Sequence, residues 1–144
     1  MKKLSVYLFV VLVFWGCNKE EITQDPNVLE GTYRTNGFLD PLCIAITDET
    51  QLPSLQISKK KDGTYELLRT NYIPQKTTQQ LEGVTSTATS DGFELYYRQT
   101  KIGTYNIDRW YDDKKDKEVT SKVLKVNFSD QSQSVFFSYF GVKK

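Results

Sequence analysis

Two Asp-Gly pairs, Asp62-Gly63 and Asp91-Gly92, each stand between runs in which apolar and polar residues alternate. No other feature constrains the fold as tightly. An Asp-Gly pair reaches the positive φ angles of a tight hairpin turn, and strict alternation puts one face of each flanking run against a core. Leu55 and Ile57 alternate before the first pair, and Tyr65 and Leu67 after it. Phe93, Leu95 and Tyr97 share one face after the second. Val126 and Phe128 then lead through Ser129-Asp130 to Val135, Phe137 and Tyr139.

Thr, Val, Tyr, Phe and Ile dominate these runs, which is strand composition, and no window carries a convincing 3.6-residue period. Extended runs are also read at 29–38, 42–48 and 102–113. The expectation is an all-β domain over residues 28–144: an antiparallel meander of about eight strands, closed into a small barrel or folded as a sandwich. A short helix is expected at most over 74–82, "PQKTTQQLE". In the barrel the inward set is Tyr33, Leu55, Leu67, Leu95, Tyr97, Val126 and Phe137.

Gly31-Thr32-Tyr33, preceded by Leu29, resembles the Gly-x-Trp element that opens lipocalin-like barrels. That resemblance implies eight strands, an aromatic plug at the closed end and an open end that admits a small apolar molecule. Tyr33 stands where the family has Trp, and the chain shows no evident counterpart of the family's late Arg.

The amino terminus bears on address rather than fold. Lys2-Lys3 precede an apolar run of about 12 residues from Leu4 to Trp15, well short of the roughly 20 that cross a bilayer as a helix. Gly16-Cys17 at its end resembles the lipobox of bacterial lipoproteins, although Phe14 and Trp15 depart from the family's small or aliphatic residues. The resemblance implies removal of residues 1–16, lipidation of Cys17, and a polar tether over 17–27. Two or more acyl chains, at about 0.8 kcal/mol per buried methylene, hold a protein stably in its membrane. Lys19, Glu20 and Glu21 resemble the export signal of surface-exposed lipoproteins in some Gram-negative bacteria. The expected location is the cell envelope, lipid-anchored in the outer membrane at its surface or periplasmic face.

Composition removes several function classes. Without Lys2 and Lys3 the chain has 17 basic against 18 acidic side chains, so it lacks the basic footprint of a nucleic-acid binder. Histidine is absent, which removes the commonest general base and every Ser-His or Cys-His pair. Carboxylates such as Asp40, Asp48, Glu49, Glu66, Glu82, Glu94 and Asp108 form no recognisable catalytic pair. Asp112, Asp113 and Asp116 lack the spacing and glycine of an EF-hand loop. With Cys17 lipidated, Cys43 has no partner within the chain and reads as a buried, inert thiol. Neither an enzyme nor a cofactor or metal site is expected.

Aromatics remain. Tyr96-Tyr97 and Trp110-Tyr111 are adjacent, so one member of each pair points inward and the other outward in a strand. Tyr33, Tyr96, Tyr97, Trp110 and Tyr111 are therefore the candidate contacts for a ligand or partner. The leading expectation is an anchored binding module for a small apolar molecule or a glycan. The alternative is a structural or protein-interaction lipoprotein, for example an inhibitor of an exported enzyme, working through the charged loop 112–118 beside Trp110.

Overall fold

A computed structural model describes residues 28–36, 46, 48–132 and 135–144. Cys17, Lys19, Glu20, Glu21, Asp40, Cys43 and nearly all of the run expected at 42–48 lie outside them. The chain forms eight antiparallel strands: β1 (Gly31–Arg34), β2 (Ser54–Lys59), β3 (Tyr65–Asn71), β4 (Thr77–Ala88), β5 (Gly92–Tyr97), β6 (Thr100–Asp112), β7 (Lys117–Asp130) and β8 (Val135–Lys143). Each pairs with the next, and β1 returns to β8 through Tyr33↔Lys143 and Arg34↔Val142, so the meander is a closed barrel. Closure removes the sheet edges that an open meander would expose.

Residues 74–82 are not helical, because Thr77 already begins β4. Leu81 and Val84 turn inward on either side of a bulge at Gly83 (φ +75°), three residues apart where a regular strand has two. Before β2, Asp48 caps a single 3-10 turn, Glu49–Gln51, by accepting from Thr50 N.

Both expected hairpins form, but their glycines work differently. Gly63 takes φ +85° within a turn where Asp62 Oδ1 accepts from Thr64 N and Oγ1. Gly92 is required by close approach, since a Cβ there would stand 1.8 Å from the Tyr105 carbonyl oxygen.

One side of every strand enters a single apolar cluster that includes Tyr33, Leu55, Leu67, Leu95, Val126 and Phe137, with Tyr97 packed against it. Residues 28–30 cross the lower end. Leu29 is buried there and its carbonyl accepts from Tyr33 Oη at 2.5 Å. Glu30 accepts from Lys59 N, and Val28 O accepts from Lys143 Nζ. The Tyr33 ring meets Tyr105 edge-on at 5.5 Å, and Lys122 Nζ lies over Tyr105 at 5.9 Å. Burial, reinforced by Tyr105, pushes the Tyr33 phenol far above its ordinary pKa.

The outer wall is polar. Lys60 pairs with Glu66, Lys101 with Glu94, and Lys125 with Asp108. A lipid-facing barrel shows the reverse pattern, with an apolar band outside. Among the described residues no helix is long and apolar enough to cross a membrane.

Two departures from a regular barrel matter for function. The β6–β7 hairpin curls back over the outer wall. Trp110 is opposite Val119, and Phe140 opposite Lys125, so on a straight ladder the two rings would stand six residues apart, roughly 20 Å. Their centroids are 5.7 Å apart. The hairpin therefore bends with its outer face concave, leaving Ile107 on the convex side 58% exposed. Arg34–Asp113 (3.1 Å), Asn36 Nδ2–Tyr111 O (2.8 Å) and Lys114–Glu49 (3.1 Å) hold its tip against the β1–β2 connection.

At the upper end β8 leans across the mouth. β1 meets only the lower part of β8, and the free upper part gives its Phe136 carbonyl to Gln79 Nε2 of β4, on the opposite side of the ring, at 3.2 Å. Tyr139 Oη, also pushed far up in pKa by burial, lies 3.5 Å from Pro53 O.

Candidate functional site

The wall is parted between β6 and β7 at its upper end. The β6–β7 ladder begins at Gly103↔Val126; above it, residues 100–101 pair only with β5 and residues 127–130 only with β8. A cleft of about 520 Å³ occupies the gap, lined by Tyr97, Ile102 and Phe128 and by polar residues of both turns. Its volume lies within the range of small-molecule sites.

Local sequence produces each part of this cleft. A register shift between Leu95 and Tyr96 turns Ile102 inward as well as Tyr105, so the floor stays apolar where the ladder parts. Tyr97 and Phe128 reach the same place from β5 and β7 and meet edge-on, 5.0 Å between centroids. Gly103 permits the closest approach just below the split: a Cβ would stand 2.2 Å from the Lys125 carbonyl oxygen. The two-residue turn beside the cleft is Arg98-Gln99, with φ of +47° and +67°. Neither residue is Gly, Asn or Asp, so this turn is strained.

That turn places the Arg98 guanidinium 5.1 Å from the Tyr97 ring centroid, over the aromatic floor. Arg98 Nη1 also reaches Asp130 Oδ2 across the gap at 3.8 Å. Asp130 Oδ1 is used differently, accepting from Ser132 N (2.9 Å) and Ser132 Oγ (2.5 Å). The ion pair is long and solvated, a class worth about 0–1 kcal/mol. The result is an apolar floor, hydroxyl and amide groups on the walls, and one loosely held cation at the rim.

The other sequence candidates lie elsewhere. Tyr33 is the lower plug and faces no surface. Tyr96, on the outer wall, donates to Glu94 Oε2 at 2.6 Å, which raises the phenol's pKa, while Lys101 and Tyr96 together lower that of Glu94. Trp110 is 2% exposed and packs with Val123 and Val142, so it is not the surface anchor expected of it. Tyr111 donates to Asp116 at the hairpin tip. Tyr97 alone of the five lines the cleft. Phe128 is legible as an alternating residue and Asp130 as part of the Ser129-Asp130 turn, but Arg98 carries no signal, because "YYRQTK" reads as one continuous strand.

A second groove of about 750 Å³ lies at the β2–β3 turn. Beside it Gln80 Nε2 donates to both Glu66 (2.5 Å) and Glu82 (2.6 Å), and Lys60 pairs with both. These carboxylates form a charge clasp across three strands, each already occupied by the same two donors. Asp112, Asp113 and Asp116 diverge: Asp112 caps its turn through Lys114 N, Asp113 meets Arg34, and Asp116 meets Tyr111. Among the described residues no three metal-ligating side chains come together.

The chain matches no protein-family model, no curated protein and no solved structure.

Proposed function

We propose that this chain is a lipid-anchored envelope protein whose barrel binds a small apolar molecule or a glycan at the parted β6–β7 wall. One observation carries this reading: the cleft floored by Tyr97, Phe128 and Ile102 and rimmed by polar groups. A few polar groups converging on an apolar floor is the usual composition of a small-molecule site. An aromatic floor also suits a sugar ring, whose apolar face stacks on such rings. The barrel resembles a lipocalin-like one in its strand number and its lower plug, with a difference in entry: Gln79 and Phe136 bridge the mouth, so a ligand would enter through the wall.

The anchor is a reading of Gly16-Cys17, with Lys19-Glu20-Glu21 as the surface-export signal. Acyl chains on Cys17 would hold a tether of about ten residues, roughly 16–19 Å as a flexible coil, so the barrel would work close to its membrane.

Native mass spectrometry of residues 18–144, expressed in the source cells with a cleavable export signal and recovered gently, tests the binding reading. A reproducible added mass, lost on denaturation and lost again when Tyr97 is replaced by Ala, is the expected result. A clean apo mass that stays clean after incubation with envelope lipid and glycan extracts would refute it.

A further inference from the structure

Building on this binding reading, we infer that the cleft selects ligands with a small apolar body ending in one anionic group, and that Arg98 is the residue that reads the anion. Three observations converge. The floor is apolar and aromatic, so it takes the body. Arg98 is the cation directly above it, held over Tyr97 by a strained turn that fixes its backbone. It meets Asp130 Oδ2 at a long 3.8 Å, while Asp130 Oδ1 is engaged by Ser132.

An exposed guanidinium joined to a carboxylate by one long contact has given up little of its capacity. A carboxylate, sulfonate or phosphate arriving at the rim can form the shorter, forked contact that Arg favours. The exchange costs only the weak Arg98–Asp130 pair. Lys101, the other cation lining the cleft, is tied at 2.5 Å to Glu94 on the outer wall and points away from this role. Asp130 then acts as a placeholder that keeps Arg98 at the rim and penalises ligands too short to reach past it. A neutral ligand fills the same floor without the exchange and binds more weakly.

The test uses residues 18–144, which contain every described strand and the lower plug, with two fluorescent probes. Anilinonaphthalene sulfonate has an apolar body and an anion; N-phenylnaphthylamine has a similar body and no charge. The sulfonate should bind more tightly. Arg98→Gln, which keeps most of the stem, should weaken the sulfonate about five-fold or more and leave the neutral probe within about two-fold, the scale of one charge-assisted contact. Asp130→Asn retains an oxygen for Ser132 while removing the competing charge, so it should tighten the sulfonate about two-fold. Competition by decanoate or by 2-naphthoate then assigns the body as chain or ring.

Equal affinity for the two probes, an unchanged sulfonate affinity in Arg98→Gln, weaker binding in Asp130→Asn, or failure of both acids to compete would overturn the inference. The underlying reading fails separately: Tyr97→Ala, still folded by circular dichroism, would then leave both probes unaffected.

Discussion

Replacing Trp110 by Ala tests the curled hairpin, the feature that most changes the sequence-based picture. A buried Trp removes about 150–250 Å² from water, worth about 4–6 kcal/mol at roughly 25 cal/mol per Å². The unfolded chain already shields part of that area, which brings the expected loss to about 3–4 kcal/mol. Large-to-small substitution of Trp in protein cores costs about 3–5 kcal/mol, in agreement. Trp110→Phe should behave differently. The Trp110 Nε1 atom is buried and has no hydrogen-bond partner among the described residues. Phe loses part of the ring but also removes that donor, whose burial costs about 1–3 kcal/mol, so the net change should stay within about 1 kcal/mol. Urea unfolding of residues 18–144, followed by far-ultraviolet circular dichroism, measures both. Trp15 is left out of that segment, so Trp110 is its sole tryptophan and its emission should be blue-shifted until unfolding. A loss under about 1 kcal/mol for Trp110→Ala, with native emission like free indole, would show that the hairpin does not fold over the wall.

Two further outcomes follow from the ends of the barrel. Gly141→Ala puts a Cβ 2.4 Å from the Arg34 carbonyl oxygen, where β8 closes on β1; it should cost about 1–3 kcal/mol, and amide exchange should quicken first at Arg34 and Val142. Unchanged exchange there would mean that closure does not depend on this approach. In alkali, Tyr33 and Tyr139 resist ionisation when folded but ionise near the ordinary value of about 10 when unfolded. The unfolded chain therefore loses protons first, so stability is full below about pH 10 and falls as pH rises beyond it. Urea midpoints from pH 8 to 11 should decline above 10, less steeply in Tyr139→Phe; equal slopes in the two proteins would refute the assignment.

Much of the wall was legible in residues alone. The inward set from Tyr33 to Phe137 forms one cluster because burial of one strand face forces a period of two, and that period is local. Turns were less legible. Asp91-Gly92 marked a hairpin, yet its glycine answers to the Tyr105 backbone, and the two-residue turn with positive φ is Arg98-Gln99, which no turn residue announces. Residues 74–82 were ambiguous because Thr77 to Gln80 are all polar and exposed, so this part of β4 has no alternation to read.

The aromatic pairs show where local information ends. Tyr96-Tyr97 and Trp110-Tyr111 carry the same pattern, and the sequence determined that each pair would straddle a sheet. Tertiary structure decided the rest. Tyr97 lies at an opening because the β6–β7 ladder stops at Gly103↔Val126, while Trp110 is sealed because Arg34, Asn36 and Glu49 hold its hairpin down. Strand alternation is set by neighbours two residues away, whereas a bend or a split depends on partners distant in the chain, whose positions exist only once the barrel has closed.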